Sequence, residues 1–137
     1  MIEPTVRLLG DVVLGRDVNI GGPSELMARH SRIVIGDGCD IASYVTITTA
    51  DSHRLCIGMS AVIQRKEVVI GDHVFIGQGA IILKGTRIGH HSVIGAGVVL
   101  SGQEIPPYSR VRLPEPVIER GYYGRIPEAV ECRDHEL

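Results

Sequence analysis
An imidazole titrates near neutrality, so the histidines of a chain are where proton transfer is first sought. His53 sits in the stretch Thr49-Ala50-Asp51-Ser52-His53-Arg54-Leu55, two residues after Asp51. A neutral imidazole held by a carboxylate can act as a general base: one nitrogen is pinned and the other takes a proton. Asp51 or Asp40 can supply that carboxylate, and either can equally cap a turn. His73 and His91 stand 18 residues apart, with His90 beside the latter, and stacked imidazoles suit either a metal or an interface. Arg65, Lys66 and Lys84 offer cations that are solvated edges or contacts for an acidic sugar or phosphates. The cysteines Cys39, Cys56 and Cys132 are odd in number and form no Cys-X-X-Cys pair, which suits a reducing cytoplasm better than a disulfide framework.

The elements that must carry these groups show in a six-residue rhythm. Ile70, Ile76, Ile82, Ile88, Ile94 and Leu100 keep it downstream; Ile35, Ile41 and Ile47 keep it upstream, and Leu8, Leu14 and Ile20 form a fainter copy. Two residues before each aliphatic stands a small or β-branched residue (Val68, Val74, Ala80, Thr86, Ser92, Val98), and glycine usually follows (Gly71, Gly77, Gly89, Gly95). A helix turns about 100° per residue, so a six-residue period sends successive aliphatics in three directions and builds no apolar face. In a strand, residues two apart share a side, and glycine after them permits a corner. The unit is therefore a short strand plus a turn, and three units make one triangular coil of 18 residues. Coils stacked about 4.8 Å apart place Ile70 beneath Ile88 and Ile76 beneath Ile94. By the same count His73 and His91 share an outer face, His90 points elsewhere, and Asp72 meets His90 at a corner.

The rhythm fails twice. From Ile47 to Ile70 is 23 residues, which predicts a full coil with a five-residue excess. Continuing the upstream series puts His53 at an aliphatic position, and an unpaired imidazole in an aliphatic core is costly. The chain is therefore expected to leave the prism near Thr49 and return near Glu67, carrying Asp51, His53, Arg54, Arg65 and Lys66 outward. From Ile20 to Ile35 is 15 residues, which predicts a second loop over 21–32 holding Ser24, Glu25, Arg29 and His30. Loops raised on a rigid scaffold commonly carry function.

Bulk properties narrow the classes. Net charge is −2, so no basic surplus points to nucleic acid or an anionic membrane. No signal peptide is read at the start, MIEPTVRLLGD, and no apolar run reaches bilayer length. Residues 1–113 are expected to form one domain and 114–137 an irregular tail, with Tyr122 and Tyr123, that covers the open end of the prism.

The repeat resembles the hexapeptide-repeat family over roughly 33–105, which implies a left-handed parallel β-helix of about four to five coils. The run VVIGDHVFIGQGAIILKGTRIGHHSVIGAGVVL followed by IPPYS is similar to the subgroup of hexapeptide acetyltransferases that act on sugars, polysaccharides and xenobiotics. That resemblance implies a homotrimer with active sites in clefts between prisms, acetyl-CoA as co-substrate and no metal. It places the base at His53 and the coenzyme along Phe75, Gly77, Gln78, Gly95, Ala96 and Ser101; the residues themselves offer Asp51 to assist the base, and Asp40 and Arg65 are expected toward the acceptor. The implied reaction is acetyl transfer to a hydroxyl of a saccharide: a polysaccharide, glycan or nucleotide-sugar precursor. Members usually continue with a Gly-Asn-Pro-Ala-Lys type turn, where this chain has Arg112-Leu113-Pro114-Glu115-Pro116; Arg110, Arg112 or Arg120 are the available substitutes for holding the coenzyme's nucleotide. Two other functions occur on such a fold: a zinc hydratase of the γ-carbonic anhydrase type, whose paired histidines stand five apart as none do here, and a non-catalytic scaffold.

Overall fold
Strands of two or three residues, with two longer ones near the start, wind the chain around corners into a parallel β-helix of about five coils. The structure, a computed structural model, describes residues 1–124. The first face stacks the leading half of β1 (Arg7–Leu14), the leading half of β3 (Glu25–Ile35), β5 (Thr46–Thr48), β10 (Ile81–Leu83) and β13 (Val99–Ser101). The second stacks the trailing halves of β1 and β3 with β8 (Val68–Ile70), β11 (Arg87–Ile88) and β14 (Glu104–Ile105). The third holds β2 (Asn19–Ile20), β4 (Asp40–Ile41), β9 (Phe75–Ile76), β12 (Val93–Ile94) and β15 (Arg110–Val111). Because β1 and β3 run unbroken around one corner, the first two faces are joined as one sheet.

Three internal columns result. They are Leu8, Leu26, Ile47, Ile82 and Leu100; Leu14, Ile35, Ile70, Ile88 and Ile105; and Ile20, Ile41, Ile76, Ile94 and Val111. Most of these side chains are wholly buried, as are the companions two residues earlier, among them Cys39, Val45, Val68, Val74 and Ala80. Where that companion is polar, its hydroxyl is spent on the backbone of a corner. Thr86 donates to Leu83 O at 2.7 Å and accepts from Gly102 N at 3.0 Å; Ser92 donates to Pro106 O at 3.2 Å and accepts from Ser109 N at 3.1 Å. An unpaired buried hydroxyl costs about 1–3 kcal/mol, so these pairings are what admits Thr and Ser to the core.

Both interruptions differ from the sequence reading. Residues 21–32 are not a loop: Leu26 follows Ile20 by six and takes its column place, while Ser24 fills the companion position, buried and bonded to Gly21 O and Ala42 O. The excess is three residues, Arg29 to Ser31, extruded where the β1–β3 register slips between Gly10 and Asp11. Gly10 has φ +82, and a Cβ there would lie 2.3 Å from Ala28 O, so the slip depends on its bare backbone. Between Ile47 and Ile70 there is no additional coil. Ile47 pairs directly with Ile82, and Ile70 with Ile35, so Ile47 and Ile70 occupy neighbouring faces of one coil. A regular step there takes six of the 23 residues, leaving 17 outside the tube.

The corner between the second and third faces carries a ladder of its own. Asp72 Oδ1 accepts the Asp37 N–H at 2.7 Å, and Asp37 Oδ1 accepts the Arg16 N–H at 2.8 Å. Asp72 is thus committed to the coil before it, not to His90. Accepting the Arg16 N–H, with the Arg16 guanidinium 3.6 Å away, holds the Asp37 carboxyl below its ordinary range. A depressed folded-state pKa stabilises the fold above the unfolded value of 3.8, and the contribution fades as pH falls through the lower folded value. Asp37→Asn is therefore expected to lower the melting temperature at neutral pH, with the gap to the parent closing between about pH 5 and pH 2. Paired melts across that range check it; a gap that persists in acid contradicts it.

Residues 114–124 carry no strand and are exposed. The remainder of the expected cap, with Cys132, falls outside the described residues.

Candidate active site
The 17-residue excursion leaves the corner between the first and second faces. Its neck is closed by Thr49, which is buried, donates its N–H to Met27 O at 3.2 Å and accepts the Lys66 N–H at 2.9 Å. Above it, β6 (Ala50–Asp51) pairs antiparallel with β7 (Gln64–Arg65), setting Ala50 opposite Arg65. The single turn α1 (His53–Cys56) follows at once, its carbonyls taken up by Ile57, Gly58 and Met59 N–H groups. Asp51 is thereby rooted in a paired stem, and His53 at the first residue of the turn leans back toward it.

Asp51 is the centre of the arrangement. Its Oδ1 is 3.3 Å from His53 Nδ1, and its Oδ2 is 3.4 Å from Lys84 Nζ, which reaches across from the corner after β10. At 3.3 Å the imidazole contact is within ion-pair reach but out of line for a full hydrogen bond, and Oδ1, sealed from solvent, has no other partner. A carboxylate facing Nδ1 favours the tautomer protonated there and leaves the Nε2 lone pair free, as a base requires. The His53 side chain is 65% exposed, so an incoming hydroxyl can reach it from solvent.

Beside this triad lies a groove of about 360 Å³ on the outer surface of the first face. Its floor is a rung of outward side chains, Leu9, Met27 and Thr48, aligned by strand register. Asp51, Arg65, Arg29 and Arg7 stand around it. Arg65 was expected near the acceptor from the sequence; Arg7 and Arg29 become visible as groove residues only once Leu26 is placed in its column.

The other expected site residues lie elsewhere on the chain. Asp40 and Phe75 are register partners on the third face, so Asp51, not Asp40, is the carboxylate at His53. Gly77, Gln78, Gly95 and Ala96 form the corner between the third and first faces, where a Cβ on Gly77 would lie 2.5 Å from Ala96 N. Ser101 ends β13 beside Leu83, on the same corner as Lys84 and the excursion. One chain therefore joins His53, Asp51, Lys84 and Arg65, and holds the glycine corner apart from them.

His73 and His91 do lie one coil apart as counted, with ring centroids 5.0 Å apart and planes tilted by 44°, and His91 stacks on Tyr108 at 5.3 Å. His90 does not point away: its Nδ1 is 3.0 Å from His91 Nδ1, because the corner turns through a positive φ at His91 and folds the two rings together. Among the described residues, no three His, Cys, Asp or Glu side chains are placed to hold one ion. No described helix is long and apolar enough to cross a membrane.

Residues 67–102 match the family model for the bacterial transferase hexapeptide of six repeats. The carnitine operon protein CaiE of Proteus sp. (strain LE138) is 29% identical over 101 residues, which cover 69% of this chain and 50% of CaiE. The chain thus spans about half the length of the curated relatives it matches. Among solved structures, the polySia-specific acetyltransferase NeuO superposes with a TM-score of 0.63 at 27% identity, covering 86% of this chain and 56% of NeuO. The maltose O-acetyltransferase of Clostridium difficile 630 gives a TM-score of 0.60 at 28% identity, covering 80% of this chain and 60% of that one. With its aliphatic residues in three columns and glycine-rich corners between them, this chain carries the hexapeptide repeat of bacterial transferases over residues 67–102 and shares its β-helix with solved hexapeptide acetyltransferases.

Proposed function
We propose that the protein is an acyltransferase that moves the acetyl group of acetyl-CoA to a hydroxyl of a saccharide, with His53 as general base. The observation that carries this is the contact of His53 Nδ1 with Asp51 Oδ1 at 3.3 Å, at the rim of a groove large enough for a sugar. The acceptor hydroxyl gives its proton to His53 Nε2 as its oxygen attacks the thioester carbonyl. The tetrahedral intermediate then collapses: the C–S bond breaks, the proton passes to the leaving sulfur, and free thiol and acetyl ester result. A backbone N–H at a coil edge is suited to the oxyanion. Asp51 keeps the ring in the needed tautomer, and Lys84 keeps Asp51 in place. The carbohydrate relatives among the solved structures support the choice of acceptor.

The coenzyme's pantetheine lies in this reading along Gly77, Gln78, Gly95 and Ala96, with Phe75 and Ser101 at either end of its path. That corner is not the one bearing His53, so a second subunit must bring its glycine corner to this subunit's excursion. A homotrimer with clefts between prisms meets that need and covers outward apolar residues such as Phe75, Ile81, Val93 and Val99. The free thiols of Cys39 and Cys56 are in keeping with a reducing cytoplasm. The test is thiol release from acetyl-CoA by the purified full chain, with neutral and charged saccharides as acceptors and mass spectrometry of the product. An acetylated saccharide is the expected product; no stimulation of thiol release by any saccharide would remove the reading.

A further inference from the structure
The groove beside His53 carries more positive charge than an acceptor made only of hydroxyls needs. Asp51, its one carboxylate, is occupied by Lys84 and His53. Arg7 shares its charge with Glu25 at 4.0 Å. Arg29 and Arg65 have no ion-pair or side-chain hydrogen-bond partner among the described residues. Their placement is structural. Arg29 opens the three-residue extrusion of β3, and Arg65 stands across the stem from Ala50. Two insertions far apart in sequence therefore deliver a guanidinium each to one groove.

We propose that the acceptor is anionic: a saccharide bearing a carboxylate or phosphate, whose charged group is gripped by Arg29 and Arg65 while a neighbouring hydroxyl faces His53. This rests on the acetyl-transfer reading and narrows its substrate. The floor of Leu9 and Met27 suits the C–H face of a sugar ring, and the Thr48 hydroxyl beside them is bonded to the Ala50 backbone. A volume of about 360 Å³ lies at the small end of ligand pockets, about 300–1,000 Å³, so the groove takes one charged sugar unit rather than a length of chain. The forked guanidinium matches carboxylate and phosphate oxygens two at a time. The coenzyme's phosphates offer the same chemistry, so the acetyl-CoA KM is read beside the acceptor KM to tell the two apart.

The experiment compares a disaccharide containing glucuronate with its counterpart containing glucose, and adds UDP-glucose as the phosphate arm. Binding is measured by calorimetry, and acceptor and acetyl-CoA KM values by thiol release, for the full chain and for Arg29→Gln and Arg65→Gln. Both positions are exposed, so the variants keep the parent melting temperature. The glucuronate or UDP sugar is expected to bind at least tenfold more tightly than the neutral one. Each variant is expected to weaken that binding and raise the acceptor KM by about tenfold to a hundredfold, with the acetyl-CoA KM within about twofold. Equal binding of charged and neutral saccharides overturns the proposal, as does a rise confined to the acetyl-CoA KM. Arginine-dependent binding without thiol release would leave the groove standing and remove acetyl transfer. Thiol release that favours the neutral sugar would do the reverse.

Discussion

Alanine in place of His53 is expected to lower the rate of thiol release from acetyl-CoA by about 10²–10⁴-fold, the range that a positioned general base contributes. The loss is expected to fall on kcat, because in the proposed role the imidazole acts on the proton that moves in the transition state rather than on the binding of either substrate. Structure is expected to survive. His53 lies in a single exposed turn, outside all three aliphatic columns and beyond a neck closed by backbone hydrogen bonds at Thr49. Its removal leaves Asp51 still paired with Lys84, so no carboxylate is stranded. The control is a melt of His53→Ala that overlays the parent. Thiol release that proceeds at the parental rate in a folded His53→Ala protein would show that another group takes the proton.

Ile76→Ala is expected to destabilise the fold by about 2–5 kcal/mol, the cost of deleting a buried aliphatic side chain and leaving a cavity. Ile76 is wholly buried and stands mid-column on the third face, between Ile41 and Ile94. Its neighbours are fixed from above and below by strand register, so they cannot close into the space. At about 3–4 °C per kcal/mol for a chain of this size, the melting temperature falls by about 6–20 °C. Ile76→Val removes one methylene and is expected to cost about 0.5–1.5 kcal/mol. If Ile76→Ala melts within about 2 °C of Ile76→Val, the columns are not the source of stability argued for them.

The excursion shows where reading the chain stops being sufficient. The distance from Ile47 to Ile70 admits a coil with a short excess or a single step with a long insertion, and residue spacing cannot separate them. Pairing separates them at once, since Ile47 lies on Ile82 and Ile35 on Ile70. The same limit hid Leu26. Counting from Ile20 to Ile35 suggested a loop, although Leu26 sits six residues after Ile20 and Ser24 fills the companion place. Ser24 is held there by Gly21 O and Ala42 O, acceptors set by a corner and by the next coil. His90 misled for a related reason: adjacent side chains diverge in a strand, but not at a corner with positive φ.

What the amino-acid order determined by itself is therefore the period, the columns and the ejection of His53 with Asp51, because a six-residue rhythm and an imidazole at an aliphatic position are local facts. Which coil lies on which, how long the excursion is, that Lys84 joins Asp51, and that Arg7, Arg29 and Arg65 meet in one groove were decided only by the tertiary structure. Those are contacts between residues from different coils, and their partners are chosen by the stacking of strands, which counting along one chain does not contain.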